Sequence, residues 1–181
     1  NQAWSMDFVF DRTAEGRVIK CLTIVDDATH EAIAIEVERA ISGLGVTRVL
    51  DRLALTRGLP QVIRTDNGKE FTDRLFASRE REPSGNHEFD QLCQELGIEH
   101  RLTKPRTPRT NGMVERFNGR IADVLKTHRF NSREDMEQTL LRYVALYNHQ
   151  LPQSALKSKT PMQTMKEWYA SHPHLFHKRP Y

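Results

Sequence analysis

Three runs of alternating apolar and polar residues, followed by a helical run and a fourth short apolar run, constrain the fold of this chain most strongly. The first run, WSMDFVF at residues 4–10, places its even-numbered side chains on one face and Ser5, Asp7 and Val9 on the other. GRVIKCLTIVDD and EAIAIEVE follow after short polar turns. Because short connections join antiparallel neighbours, we predict a three-stranded antiparallel meander.

The fourth strand is predicted to pair in parallel with an earlier strand, because a helix separates it from the meander. Residues 45–57 carry apolar side chains at helical spacing and end at Gly58, and PQVIRTD then provides the strand. Crossovers of this kind are right-handed and join parallel strands. The first strand is the natural partner, since the second and third lie on its other side. We therefore expect Asp7 and Asp66 to lie close together at the carboxyl ends of neighbouring strands, where α/β sheets bind ligands.

The second half of the chain is predicted to be helical around one further strand. Pro105 and Pro108 each disfavour a helical conformation in the preceding residue, so the segment that contains them is expected to be a loop. The fold class is thus α/β, with a five-stranded mixed sheet flanked by helices, in a single domain spanning 1–181 with a C-terminal helical extension from about residue 131. The remaining predicted elements are helices over 87–96, 111–129 and 132–149, a helix opening at Pro161, a strand over 98–102, and loops over 78–86 and 103–110.

Charge is unevenly distributed along the 181 residues. The net charge is +3, yet the segment from Arg101 to Arg133 holds nine Lys or Arg and two acids, a local +7 that leaves −4 for the rest. A basic stretch on a mildly acidic body is typical of a polyanion-binding face. The alternative is a solvated helix face that binds nothing.

The compartment is predicted from what the sequence lacks. Cys21 and Cys93 are too few for a disulfide framework and are expected to be small buried or half-buried side chains in a reducing environment. No apolar run reaches the ~18 residues of a membrane helix, and no signal peptide is visible. We expect a cytoplasmic protein without a membrane partner. Because the chain opens with Asn1 rather than Met, we also expect it to be part of a longer protein.

Glu115 is a single carboxylate in a basic neighbourhood. It shares one face of its predicted helix with Asn118, Gly119 and Ala122 at i+3, i+4 and i+7, so small residues leave room for a large ligand. Mg²⁺ prefers oxygen ligands and is held by one or two carboxylates together with substrate phosphate. Taken singly, the acids have ordinary explanations: a strand Asp paired with a lysine, a TDNG turn, and a solvent-facing Glu. Their order along the chain favours a site.

Three motifs together identify a family. WSMDFVF, IRTDNGKEFT and TPRTNGMVERFNGRI resemble the integrase catalytic core of bacterial insertion-sequence transposases, of the DDE type in the retroviral-integrase superfamily, and YNHQLPQSALKSKTPMQ resembles their C-terminal part. The resemblance runs from Trp4 to Trp168. It implies an RNase H-like fold, a triad of Asp7, Asp66 and Glu115 that binds Mg²⁺ or Mn²⁺, two ions in all, and DNA cleavage followed by strand transfer.

The same resemblance implies how DNA is held. We expect the chain to act on element ends and target DNA as a homo-oligomer in the bacterial cytoplasm, associated with the nucleoid. Asn67 and Gly68 would shape the turn after the second acid. The residues expected to contact DNA are Lys104, Arg106, Arg109, Asn111, Arg116 and Arg120.

One feature departs from the family pattern. The family leaves about 35 residues between the second Asp and the Glu, whereas 48 separate Asp66 from Glu115 here, and such an insertion is tolerated because loop-closure entropy grows slowly with length. We place the excess near residues 77–86, in a charged surface loop. Asp26 and Asp27 are interpreted as turn residues, and His100, on the predicted fifth strand, is a weaker candidate for the site.

Two other functions stay open at this stage. An RNase H-like nuclease without strand transfer would use the same acids, because the fold does not fix the function. A non-catalytic DNA-binding or assembly module is a third possibility, although such a module has no need for all three acids.

Overall fold

Five strands form one mixed sheet, with helices packed on both of its faces. The computed structural model describes residues 1–73, 83–103 and 112–181. In these segments the elements are β1 (Ala3–Arg12), β2 (Val18–Asp26), β3 (Ala32–Glu38), α1 (Gly43–Arg57), β4 (Val62–Thr65), α2 (Glu88–Glu95), β5 (Glu99–Leu102), α3 (Gly112–Thr127), α4 (Arg133–Gln150) and α5 (Pro161–Ser171), with short 3₁₀ turns at Ser154–Leu156 and Pro173–Leu175.

The strand order is β3-β2-β1-β4-β5. β2 pairs antiparallel with β1 and β3, whereas β4 pairs parallel with β1 and β5. The predicted meander and the parallel pairing of the fourth strand with the first are both confirmed. α1 begins at Gly43, two residues before the predicted start, because the Ser42 side chain caps it by accepting a bond from the Gly45 N–H.

The alternation of β1 separates two apolar cores. Trp4 and Met6 are fully buried on the face that α1 and α2 cover. The other face packs against α3 and α4, and its core includes Val9. Asp7 therefore projects toward α3, while the neighbouring Phe8 packs on the opposite side. The α3 and α4 residues at the centre of the second core are Val114, Phe117, Ile121, Met136 and Leu140.

α4 is fixed to the outer strand by a polar contact within its apolar surface. The buried Asn148 amide accepts from the Ala32 N–H and donates to the Ala32 carbonyl, each at 2.9 Å. These bonds satisfy backbone groups of Ala32 that have no strand partner at this edge of the sheet. A buried backbone group left unpaired would reduce the stability of the fold. α5 begins with a Thr160 cap and Pro161 at its first position, as predicted.

Cys21 and Cys93 are both buried and free, as predicted. Burial raises the pKa of each thiol to about 12, so both stay protonated and unreactive at neutral pH. In the described part of the chain, no helix is both long and apolar enough to cross a membrane.

Part of the predicted irregular structure lies outside the described residues. This applies to positions 74–82, which hold most of the proposed insertion, and to positions 104–111, which hold nearly all of the proline-containing loop. The described end of the insertion, Pro83 to His87, leads into α2, and Gly85 there has the positive φ of +72° that its turn requires.

Candidate active site

The end of β4 lies beside the middle of β1. Ser5 is paired with Arg64, so continuing this parallel register by two residues brings Asp66 level with Asp7. The predicted proximity of the two aspartates follows from this register. The predicted position at two carboxyl ends is only half right, because Asp7 is the fifth residue of a ten-residue strand. β1 continues to Arg12 alongside β2, well past the last residue of β4.

The Asp7 carboxylate accepts hydrogen bonds from two neighbours, and Thr23 contacts one of them. Its Oδ1 accepts from the Phe8 N–H at 2.7 Å, and its Oδ2 accepts from the Asn118 side-chain amide on α3 at 2.9 Å. The Thr23 hydroxyl lies 2.7 Å from Asn118 Oδ1 and 3.2 Å from the Asp7 carbonyl oxygen. Thr23 thereby provides a partner for the end of the Asn118 amide that faces away from the Asp7 carboxylate. The sequence indicated that Asn118 shares a helix face with Glu115, but gave no sign of Thr23.

The three acids interact electrostatically. The pKa of Asp7 is raised to about 6, mainly because burial disfavours its charged form. The charges of Asp66 and Glu115 raise the pKa further, while the hydrogen bonds from Phe8 and Asn118 lower it. Asp7 is therefore within electrostatic reach of both other acids. A cation placed among them would relieve the repulsion.

The turn that carries Asp66 is closed by its own side chain. Asp66 Oδ1 accepts from the Gly68 N–H at 2.9 Å, and the Asn67 amide donates to the Thr103 carbonyl at 2.8 Å. A Cβ on Gly68 would lie 2.9 Å from Asp66 Oδ1 and 3.0 Å from Glu70 Oε2, so both carboxylates would have to shift to make room for it. The absence of a side chain at position 68 thus lets the two carboxylates approach the backbone closely.

Glu115 lies in the first turn of α3 and is exposed, directly after the segment that the structure does not describe. Among residues 1–73, 83–103 and 112–181, no group of three His, Cys, Asp or Glu side chains converges closely enough to hold a metal ion. The chemistry of the donors nevertheless fits Mg²⁺ or Mn²⁺, because all three groups are carboxylates and the solvent-exposed Asp66 and Glu115 are accessible to an ion.

The basic residues expected to contact DNA fall into two groups. Lys104, Arg106, Arg109 and Asn111 lie outside the described residues. Arg116 and Arg120 are exposed on α3. Arg120 contacts α4, since it lies close to Tyr143 and its guanidinium lies 5.7 Å from the centre of the Tyr147 ring.

The weaker candidates have structural partners. Asp26 accepts from the backbone N–H groups of Ala28 and Thr29, which supports its interpretation as a turn residue. Asp27 is paired with Arg64 at 2.7 Å.

His100 lies beside the site without reaching the three acids. Its Nδ1 is 2.5 Å from Asp90 Oδ1, and its Nε2 is 2.8 Å from the Thr65 hydroxyl. The Nε2 atom thus contacts the residue before Asp66, and the Nδ1 atom contacts a residue of α2.

Substitution of Asn118 by alanine is expected to raise the pKa of Asp7 above about 6. The amide donates to the carboxylate and so favours its charged form, and the substitution removes that donor. The measurement is a ¹³C NMR titration of the Asp7 carboxyl carbon in metal-free protein. Asn148→Ala serves as a control, because it removes a buried amide of α4 that bonds Ala32 instead. An unchanged or lower Asp7 pKa in Asn118→Ala would contradict the assigned contact.

Comparison with known proteins identifies the family to which the chain belongs. Two family profiles described as "Integrase core domain" match residues 1–108 and 96–161. The insertion element IS476 uncharacterized 39.2 kDa protein of Xanthomonas euvesicatoria is 42% identical over 164 residues, which cover 90% of this chain and 44% of that protein. The insertion element IS407 uncharacterized 31.7 kDa protein of Burkholderia multivorans is 39% identical, covering 90% of this chain and 54% of that protein. The chain thus spans about half the length of these relatives.

Solved structures show the same fold at low sequence identity. The HTLV-2 integrase catalytic core domain in complex with magnesium (trimeric form) superposes with a TM-score of 0.63 at 20% identity, over 91% of this chain and 95% of that one. The catalytic core domain of BIV integrase gives 0.60 at 20% identity, over 96% of each chain. The predicted RNase H-like fold is therefore confirmed. With profiles matching residues 1–108 and 96–161, the chain belongs to the Integrase core domain family.

Proposed function

We propose that this chain is the DDE-type catalytic core of a DNA transposase or integrase. Such an enzyme cleaves DNA strands and joins their 3′ ends to other strands through new phosphodiester bonds. The observation that carries the proposal is the electrostatic coupling of Asp7 to Asp66 and Glu115 within an integrase-family fold. Membership of this family supports polynucleotidyl transfer as the reaction class. The two bacterial insertion-element relatives support transposition of bacterial DNA as its setting.

Asp7, Asp66 and Glu115 are proposed to hold Mg²⁺ or Mn²⁺. The HTLV-2 core with the same fold is described as a complex with magnesium. Two bound ions would supply activation of the attacking oxygen and stabilisation of the leaving oxygen in an in-line displacement at phosphorus. The Asn118 amide and the Phe8 N–H favour the ionised form of Asp7, the form able to bind a cation.

The proposed reaction consists of two phosphodiester exchanges. In the first, a water oxygen bonds to phosphorus at the end of the element, the bond to the 3′ oxygen breaks, and that oxygen leaves as a free 3′-hydroxyl. In the second, this hydroxyl attacks a target phosphodiester and displaces the 3′ oxygen of the target strand. No covalent bond to the protein forms in either step. The two cysteines are consistent with this, because both are buried and protonated.

We propose further that the chain works as a homo-oligomer on DNA. A chain of the simian T-cell lymphotropic virus intasome, solved in complex with the PP2A regulatory subunit B56 gamma, shares the fold with a TM-score of 0.65 at 20% identity, over 91% of this chain and 54% of that one. Light scattering of the protein with and without a DNA duplex would measure the assembly.

The function is tested by metal binding and by product analysis. Crystals soaked in Mn²⁺ are expected to show anomalous density between Asp7 and Asp66. A labelled duplex with a free 3′-hydroxyl, incubated with plasmid and Mn²⁺, is expected to become joined to the plasmid. Nicked products without joined strands would instead support the nuclease. Absence of both Mn²⁺ binding and products, with DNA binding retained, would support the non-catalytic module.

Substitution of Arg116 by alanine is expected to weaken DNA binding equally for all sequences. If about six phosphates are engaged, log K falls with log salt at a slope near −5, and loss of one contact reduces that slope by about 0.9. Arg120→Ala is expected to have the same effect and also to lower stability, because Arg120 contacts Tyr143 and Tyr147. The measurement is fluorescence anisotropy across a salt series.

Arg52→Ala provides the matched control for Arg116→Ala. Arg52 is an exposed arginine on α1, paired with Glu36 at 2.8 Å, and α1 lies on the opposite face of the sheet from α3. If Arg52→Ala reduced the salt slope as much as Arg116→Ala, the α3 face would not be the specific DNA contact.

A further inference from the structure

Lys20 is a nearly buried lysine near the start of β2. The residue is 9% exposed, although lysines are almost never buried without a partner. Its Nζ lies 2.8 Å from Glu70 Oε1 and 4.0 Å from the centre of the Phe8 ring. The lysine also lowers the pKa of Glu70, which keeps that carboxylate ionised. The pair thus joins β2 to a residue 50 positions further along the chain.

Glu70 belongs to the turn that carries Asp66. Its second oxygen, Oε2, lies 3.0 Å from the point that a Cβ on Gly68 would occupy, and the Gly68 N–H donates to Asp66 Oδ1. The glycine is therefore enclosed between the two carboxylates. Lys20, on β2, binds the Glu70 carboxylate and holds it in place. The Asp66 carboxylate stays exposed to solvent and so remains free to bind an ion.

The turn has a second attachment to the same part of the sheet. Phe71 is fully buried and stacks on Phe8 with the ring centres 5.2 Å apart. The backbone N–H groups of Phe71 and Thr72 both donate to the Gly68 carbonyl, at 2.9 and 3.1 Å. Phe8 directly follows Asp7, so one short stretch of β1 both carries the first acid and supports the turn of the second.

We propose that Lys20 is a positioning residue, whose ion pair with Glu70 fixes the turn 66–71 so that Asp66 remains level with Asp7 for metal binding. The proposal rests on the function proposed above, in which these two aspartates bind the metal. Lys20 itself contacts neither aspartate in the described hydrogen bonds and ion pairs. Loss of its charge would release Glu70, whose negative charge would then repel Asp66 across Gly68.

The test compares two ion pairs of the same kind. Lys20→Met removes the charge and keeps an unbranched side chain. Arg57→Met is the matched control, because Arg57 pairs with the largely buried Glu31 at 2.7 Å and lies 5.7 Å from the centre of the Trp4 ring, at the other end of β1. Hydrogen exchange of the Phe71 and Thr72 amides reports on the turn, and electron paramagnetic resonance of free Mn²⁺ reports on the metal site. Lys20→Arg tests rescue by a retained charge.

In Lys20→Met we expect the two amides to exchange at least about tenfold faster and Mn²⁺ to bind about tenfold more weakly. Arg57→Met is expected to change neither quantity beyond its effect on global stability, and Lys20→Arg is expected to recover most of both. Equal effects of Lys20→Met and Arg57→Met would overturn the proposal. Faster exchange with unchanged Mn²⁺ affinity would overturn it as well, because the pair would then only stabilise the turn.

Failure of the proposed function gives a different result. If the chain is the non-catalytic module, the unmodified protein would not bind Mn²⁺ at all, and the metal-positioning role of Lys20 would be rejected with it. If the chain is the nuclease, Mn²⁺ binding and its dependence on Lys20 would both be retained. The exchange comparison would still decide whether Lys20 holds the turn. Retained Mn²⁺ binding that is insensitive to Lys20→Met would reject the positioning role alone.

Discussion

Replacement of Asp7 by asparagine is expected to stabilise the metal-free protein at pH 8 while abolishing DNA cleavage and strand transfer. Burial and the charges of Asp66 and Glu115 raise the pKa of Asp7 from 3.8 to about 6. An acid with a raised pKa binds its proton more tightly in the folded state, so stability falls as pH rises from about 4 through 6 and is constant above. The shift corresponds to up to about 3 kcal/mol of destabilisation at pH 8.

The neighbours of Asp7 can accommodate the amide. The new side-chain oxygen can still accept from the Phe8 N–H. The new amide nitrogen would face the Asn118 amide, which can rotate by 180° and present its oxygen instead. The Thr23 hydroxyl would then accept from the rotated Asn118 amide rather than donate to it. No buried polar group is left without a partner, so the removal of the charge dominates.

Urea unfolding with a chelator present measures this effect. Asp7→Asn is expected to be about 2–3 kcal/mol more stable than the unmodified protein at pH 8, and less than about 1 kcal/mol more stable at pH 4. Added Mn²⁺ is expected to stabilise only the unmodified protein. Asp51→Asn, at an exposed acid on α1, is the control and should change stability by less than about 0.5 kcal/mol at either pH. A variant that is less stable than the parent at pH 8 would show that Asp7 carries no electrostatic strain.

The order of elements could be predicted from the sequence because it follows from local rules. Alternation with period two marks β1, β2 and β3, and short polar turns allow only antiparallel neighbours. The right-handed crossover through α1 then leaves β1 as the partner of β4. These steps bring Asp66 near Asp7 without any knowledge of tertiary packing. The same rules do not give strand lengths, so they did not predict that β1 continues well past the end of β4.

Contacts between elements far apart in the chain could not be predicted from the sequence. Helical periodicity put Asn118 on the same face as Glu115, yet its bond to Asp7 depends on how α3 lies across the sheet, 111 residues away. The pair of Lys20 with Glu70 depends on the path of the turn after β4 over the same strands. A charged residue in a strand gives no signal of its partner until both elements are placed. Such contacts determine how the acids are oriented, whereas the motifs show only which residues the acids are.

Substitution of Glu115 by glutamine is expected to reduce the rate of DNA cleavage and transfer by at least about a thousandfold, equivalent to about 4 kcal/mol. Glutamine keeps the size of the side chain and one oxygen but removes the charge that attracts a metal ion. Stability should change little, because Glu115 is exposed and loses only a helix-terminus interaction of about 0.3–1 kcal/mol. DNA affinity should be unchanged or higher, since the substitution removes a negative charge from a basic surface.

Asp123→Asn is the control for this substitution, because it makes the same charge change at an exposed acid two turns further along α3. The pKa of Asp7 gives a readout that does not depend on activity. The Glu115 charge raises that pKa, so Glu115→Gln is expected to lower it below about 6 in metal-free protein, whereas Asp123→Asn is expected to leave it unchanged. Retained strand transfer in Glu115→Gln would remove Glu115 from the active site. Lost activity with an unchanged Asp7 pKa would place Glu115 too far from Asp7 to share a metal site with it.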